Sequence, residues 1–369
     1  MSAYLVVGFT ALAITYVMTP VVRAFAVKVN LIDRPSDRKV HARPTPTLGG
    51  LALLFGLIGG GVVARFLPGT EFNTVFATTE PLGIAAGALV IFALGAVDDV
   101  RALPAPVKLA GQTFAAGLLF LSGVKMNYLL LPTQTLSLSD DVSVLVTVIW
   151  LVAMMNAINL VDGLDGLAAG IVAIAASSFF VYTYQIAENG GYLTPSAPLL
   201  AIIIVGATLG FLRHNFYPAK IFMGDSGSML LGLALGGATI AGIGSASSIP
   251  LSNSGSAVFL AYFPLLIPLA VLALPIADSL LAIVRRARKR RNVFLADKQH
   301  IHHRLMDLGH GHRQAVIVMY IWSALAAGAG LAFSFLDSSG VIFALPVAVA
   351  AIVIYTLFPL LTKLLDGRT

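Results

Sequence analysis

Oxygen donors, cations and imidazoles in this chain gather in five short polar clusters set between long apolar runs. The densest is Asn156-Ala157-Ile158-Asn159-Leu160-Val161-Asp162-Gly163-Leu164-Asp165-Gly166. Asn156 and Asn159 stand three apart and so share one face of the helix predicted to end there. Asp162 and Asp165 carry the same spacing into a glycine-punctuated turn. Asn carbonyls and carboxylates are hard oxygen donors, suited to Mg²⁺ or Ca²⁺. The alternating Asp positions and closing Glu of a calcium loop are missing. Plain interhelical hydrogen bonding is the simpler explanation, and four polar groups in so apolar a setting argue against it.

Two further clusters carry acids. Asp98-Asp99 follows an apolar run, with Arg101 and then Lys108 beyond it. Adjacent carboxylates at a membrane boundary repel and resist desolvation, so a cation would relieve them. An exposed pair in a short turn would not need one. Lys108, inside an apolar stretch, needs an anionic partner or room to snorkel. Asn215 precedes Lys220-Ile221-Phe222-Met223-Gly224-Asp225-Ser226-Gly227-Ser228, where another helix begins. Free N–H groups at that helix start could hold phosphate, although Asp or Ser as N-cap would explain part of the pattern.

The remaining clusters are basic. Asp33-Arg34-Pro35 leads to Arg38-Lys39-Val40-His41, Arg43 and Pro44-Thr45-Pro46-Thr47-Leu48-Gly49-Gly50. Its prolines keep the segment extended, and Gly49-Gly50 permits close backbone approach. Arg285-Arg286-Ala287-Arg288-Lys289-Arg290-Arg291 reads first as a membrane anchor. Downstream, His300, His302 and His303 place three of the seven histidines within four residues, followed by Arg304. Zinc would fit three imidazoles; the surrounding cations favour phosphate. Carboxylates for a hard cation beside Lys, Arg and His for phosphate are the equipment of metal-assisted phosphoryl chemistry. Its place at a membrane boundary points to a lipid reactant.

The elements that must position these groups are membrane helices. Only 11% of the 369 residues are charged and the mean hydropathy is +0.90, against about 25% charged in soluble proteins. Apolar runs fall at 2–27, 47–67, 81–97, 106–123, 142–160, 167–186, 197–212, 226–244, 257–284, 314–334 and 341–362. They predict an all-α integral membrane protein, a single polytopic bundle of about eleven transmembrane helices spanning 1–369 as one domain. No basic residue precedes the first run, so it reads as a helix and not as a secretory signal. With the N-terminus outside, all but Arg65 and Lys125 of the 23 Lys and Arg fall inside, which places the C-terminus in the cytoplasm. The loops 23–46, 98–105, 161–166, 213–225 and 285–313 then share the cytoplasmic face. The net charge of +6 belongs to these anchors, and no nucleic-acid partner is expected. With no cysteine, thiol chemistry and disulfides are excluded.

Taken in order, the clusters resemble the polyprenyl-phosphate N-acetylhexosamine-1-phosphate transferase family over about residues 23–320. Asn159 to Gly166, Phe222 to Ser228 and His300 to Arg304 are together highly specific. The resemblance implies transfer of a sugar-1-phosphate from a UDP-N-acetylhexosamine to a polyprenyl phosphate lipid, releasing UMP, with Mg²⁺ as cofactor (Mn²⁺ able to substitute). The block His300-Ile301-His302-His303-Arg304-Leu305 looks like the UDP-N-acetylglucosamine branch, since the peptidoglycan branch shows three histidines followed by Phe-Glu. By the resemblance, Asn159 and Asp225 hold the metal. Asp98, Asp99, Lys108, Asp162, His302 and His303 are catalytic, with the aspartate pair on the lipid phosphate. Asp165, Asn215 and Phe222 hold the uridine, and Arg43, Asn156, His300 and Arg304 complete substrate binding. A bacterial inner-membrane enzyme is implied, and homodimers are expected by analogy.

Overall fold

The computed structural model describes residues 1–34, 44–130, 135–188, 195–244, 310–335 and 345–357, with helical positions 266, 269 and 273. Long apolar runs in a chain with few charges have one way to satisfy their backbone in lipid, the α-helix. Accordingly α1 (Ser2–Lys28), α2 (Gly49–Phe66), α4 (Glu80–Val100), α5 (Ala105–Leu121), α6 (Asp140–Val161), α7 (Leu167–Glu188), α8 (Ser196–Asn215) and α9 (Gly224–Gly244) follow the expected runs. So do α10 (His312–Phe335) and α11 (Leu345–Leu357). Prolines open α4 and α5 at the first turn, where a missing N–H costs nothing. Seven of the described helices are long and apolar enough to cross a membrane.

The all-α expectation needs small additions. A five-residue helix, α3 (Phe72–Phe76), lies between α2 and α4. Strands β1 (Ile32–Asp33) and β2 (Thr45–Pro46) pair antiparallel, as do β3 (Tyr128–Leu130) and β4 (Thr135–Ser137). Elements this short leave no periodic trace in sequence. The expected run at 257–284 lies almost wholly outside the described residues.

At the centre stands α9. Residues 226–242 are buried without a break, and α2, α4, α6, α7 and α8 all pack on it. Such contact needs small side chains where helix backbones meet. A Cβ on Gly95 of α4 would collide with the Ser226 backbone, and one on Gly50 of α2 with the Gly227 amide. These two glycines let both helices close on the first turn of α9. Outside this core the helices present apolar side chains outward, such as Phe9, Phe114, Leu145 and Ile149. In water such a belt would be an aggregation hazard; in lipid it is the required surface.

Candidate active site

One end of the bundle collects the polar loops. Here α4, α6 and α8 end, and α5, α7 and α9 begin. Lys108, in the first turn of α5, settles the question its sequence position raises. Its Nζ lies 2.6 Å from Asp98 Oδ2 and donates at 2.6 Å to Asp225 Oδ2. Two anionic partners thus hold it. Asp225 Oδ1 accepts from Asn159 Nδ2 at 2.8 Å, and the same amide reaches Ser228 Oγ at 2.9 Å. Asp98 Oδ1 accepts the Leu103 N–H at 2.6 Å. A chain Asp98–Lys108–Asp225–Asn159 therefore ties α4, α5, α9 and α6 together through charge-assisted hydrogen bonds.

Asp99 has a different occupation. Its Oδ1 accepts the Asp225 N–H at 2.7 Å, and its Oδ2 accepts from Ser226 Oγ at 2.9 Å and from the Ser226 N–H at 3.3 Å. Both oxygens cap α9, so two of the N–H groups expected to be free for phosphate at the helix start, those of Asp225 and Ser226, are already taken. The correction has a simple cause: a carboxylate from another helix satisfies the orphan amides and the positive dipole end. Gly224, at φ +70°, gives the cap its room, since a Cβ there would meet the Asp99 carboxylate.

Asp162 follows the end of α6, and its side chain has no hydrogen-bond or ion-pair partner among the described residues. Burial, and then the nearby carboxylates of Asp225, Asp99 and Asp165, push its carboxyl well above the usual range. Four carboxylates, Asp98, Asp99, Asp162 and Asp225, thus gather beside Lys108, which pairs only with Asp98 and Asp225. Such an excess of hard oxygen fits a divalent cation. Among the described residues no three His, Asp or Glu side chains are grouped to enclose a metal. Mg²⁺ needs no such cage, because it keeps waters and substrate phosphates beside one or two protein ligands. Asn159 and Asp225, already converged, fit that style of site.

The residues assigned to uridine meet around the segment between α8 and α9. Asp165 Oδ2 accepts the Ala219 N–H at 2.9 Å. Phe222 is fixed through its backbone, donating to Pro46 O and accepting from the Gly49 N–H, both at 2.9 Å. Gly50 donates to Met223 O alongside, and together these bonds impose a φ of +90° on Leu48, a conformation leucine holds only under constraint. Asn215 has a structural task at this place. It is 2% exposed, its Oδ1 accepts the Gly166 N–H and its Nδ2 donates to Ile221 O. With each end of its amide engaged once, it ties the turn at Gly166 to the segment before α9.

Asn156 pairs with Gln112 of α5: its Nδ2 donates to Gln112 Oε1 at 2.8 Å. Gln112, buried at 2% exposure, also donates to Met229 Sδ and so joins α5, α6 and α9. Sequence reasoning missed Gln112, Ser226, Ser228 and Tyr320, whose hydroxyl bonds Gly166 O from α10. Only the two serines carried a signal, their helix-start pattern. Arg43, His300, His302, His303 and Arg304 lie outside the described residues.

A multi-pass membrane protein with an acidic, lysine-bridged centre at one end of its bundle is the class that fold and site define. The family described as glycosyl transferase family 4 matches residues 81–243. The chain is 40% identical over 369 residues to the decaprenyl-phosphate N-acetylglucosaminephosphotransferase of Mycolicibacterium smegmatis, covering 98% of this chain and 89% of that protein. It is 37% identical over 320 residues to a probable undecaprenyl-phosphate N-acetylglucosaminyl 1-phosphate transferase of Bacillus subtilis, covering 86% and 81%. A phospho-N-acetylmuramoyl-pentapeptide-transferase of Mycolicibacterium smegmatis is 31% identical over 358 residues, covering 87% and 94%. The chain belongs to glycosyl transferase family 4.

Proposed function

We propose that this protein transfers N-acetylglucosamine-1-phosphate from UDP-N-acetylglucosamine to a polyprenyl phosphate, releasing UMP and leaving a polyprenyl-diphosphate-linked sugar. The bridged set Asp98–Lys108–Asp225–Asn159 carries the reading, because it joins the acids that favour a cation to the lysine that would meet phosphate. Relatives within one organism separate the branches: the chain is 40% identical to the N-acetylglucosamine enzyme and 31% to the pentapeptide enzyme.

In this reading a lipid phosphate oxygen attacks the sugar-linked phosphorus. A new P–O bond forms, the bond to UMP breaks, and its electron pair leaves with UMP. A phosphate monoester, with a second pKa of about 6, is mostly dianionic at pH 7, so orientation and charge neutralisation matter more than a base. Asp98 orients the lipid phosphate, Asp99 holds the start of α9 in place, and Lys108 offsets charge on the diphosphate. Asp165 and Phe222 receive the uridine. Arg43, His300, His302, His303 and Arg304 are proposed for sugar and phosphate contacts. Mg²⁺, with Mn²⁺ as substitute, would be held by Asn159 and Asp225 and would supply further neutralisation of the diphosphate.

The proposal extends to placement. Eleven crossings, N-terminus outside and C-terminus inside, put the site on the cytoplasmic face of a bacterial inner membrane. The distribution of Lys and Arg supports this, and single-cysteine labelling in this cysteine-free chain tests it. Termini found on one side would sink the eleven-crossing topology. The decisive assay combines purified protein, polyprenyl phosphate and a panel of UDP-sugars that includes UDP-N-acetylmuramoyl-pentapeptide. UMP and lipid-linked product should rise together, with UDP-N-acetylglucosamine and only when Mg²⁺ is present. UMP without lipid product, or product from the pentapeptide substrate alone, would overturn the assignment.

A further inference from the structure

The acidic centre is not the only recess at this end of the bundle. A cavity of about 500 Å³ opens at the C-terminal end of α8. Arg213 and Lys220 supply its cations, Leu209 and Leu212 an apolar wall, and Tyr217 an aromatic edge beside His214. No carboxylate lines it among the described residues. Asp165 reaches the same loop but accepts from the Ala219 N–H and stays off the lining. On α1, Arg23 donates through Nε to Lys220 O at 3.0 Å, which brings a third cation close to Lys220. His214 adds a second, independent observation: its Nε2 is buried and, among the described residues, has no hydrogen-bond partner. A buried polar atom left unpaired costs free energy unless something pairs with it.

We propose that this cavity binds the headgroup of an anionic phospholipid, its phosphate between Arg213, Lys220 and His214 and the start of an acyl chain along Leu209 and Leu212. The chemistry is specific to a membrane boundary. Cations without a counter-acid select a negative headgroup, and an apolar wall continuous with exposed Leu209, 43% accessible, selects a molecule that is also a lipid. Basic recesses between membrane helices bind such headgroups elsewhere. A free phosphate would use the cations and leave the leucines idle. The site differs from the proposed catalytic one in sign and in residues.

The test uses the full-length protein purified in mild detergent and read by native mass spectrometry. Wild type should retain phosphatidylglycerol in preference to phosphatidylcholine, and phosphatidylglycerol should raise its melting temperature. The paired change Arg213→Gln with Lys220→Gln should weaken retention on the order of 30-fold, taking each surface cation as worth about fivefold. Its melting temperature in phosphatidylcholine should match wild type. Leu209→Asp, which leaves the cations in place, should also reduce retention. Equal retention of the two lipids by wild type would overturn the proposal even if the double variant fails to fold. So would undiminished phosphatidylglycerol binding by a folded double variant, or an equal thermal shift from inorganic phosphate. Because the readout is lipid retention, it stands or falls separately from sugar-phosphate transfer.

Discussion

The two ends of the bundle handle carboxylates in opposite ways. At the far end, Tyr4 donates to Glu71 at 2.7 Å and Tyr184 donates to Glu188 at 2.8 Å. Glu71 and Glu188 there each have a neutral hydroxyl, Asp140 lies 3.6 Å from Lys125, and the rings themselves pack, Tyr4 edge-on to Phe72 at 4.9 Å and tilted against Phe180 at 5.7 Å. At the site end, Asp98, Asp99, Asp162 and Asp225 gather where one lysine pairs with only two of them, and the Asp162 side chain has no partner among the described residues. The far end therefore needs nothing further to be stable. Among the described residues, the carboxylates gathered at the site end outnumber the one lysine that pairs with them, as expected where a cation is to come and go.

Substitutions can break this contrast, and the largest effect is expected at Asp225. Asp225→Asn keeps the shape but removes the charge that faces both Lys108 and Asn159; activity at saturating Mg²⁺ should fall by more than about 10³-fold, with the melting temperature nearly unchanged. Near-normal turnover would remove Asp225 from the proposed metal site. Asp98→Asn should cost about 10²–10⁴-fold in kcat and leave measurable turnover. A stoichiometric burst of UMP from enzyme and UDP-sugar without lipid, with a sugar phosphate found on Asp98 by mass spectrometry, would replace direct displacement by a covalent route.

Asp99→Ala separates capping from chemistry. Loss of a buried cap serving two N–H groups and a hydroxyl should destabilise the protein by about 1–3 kcal/mol, seen as a lower melting temperature together with reduced activity. A fall in activity with no thermal effect would make Asp99 a direct participant. Smallest is Tyr4→Phe, which keeps the ring and removes one hydrogen bond. It should cost about 1 kcal/mol in stability and leave kcat untouched. A change in kcat from this position would show that the ends are coupled.

Much of this was legible in the residues alone. Ten of the eleven apolar runs coincide with described helices, because the demand for internal backbone hydrogen bonding leaves lipid-spanning segments no other form. Asp98, Lys108, Asn159 and Asp225 could be picked out because charged or amide groups in apolar sequence require a reason. What stayed hidden was pairing. Asp99 caps a helix that starts 125 residues later, and Gln112 finds Asn156 across the connection that holds β3 and β4; neither leaves a local periodic signal. Asn215 shows the converse. Its type suggested a ligand contact, and nothing in its sequence position announced that it also joins two loops. Leu48 is a smaller case: the glycines beside it suggested special backbone geometry, and the positive φ falls on the leucine because two carbonyls pin its neighbours.

The uninterrupted burial of α9 bears on how the protein is made. Glycine-rich and with no side turned to lipid over residues 226–242, this helix gains little from the bilayer by itself. Among the described residues, every element that packs closely on it, α2, α4, α6, α7 and α8, precedes it in the chain. A ribosome emitting N-terminal segments first would deliver the walls of the socket before the pin, and the Asp99 carboxylate would be waiting when the first turn of α9 arrives.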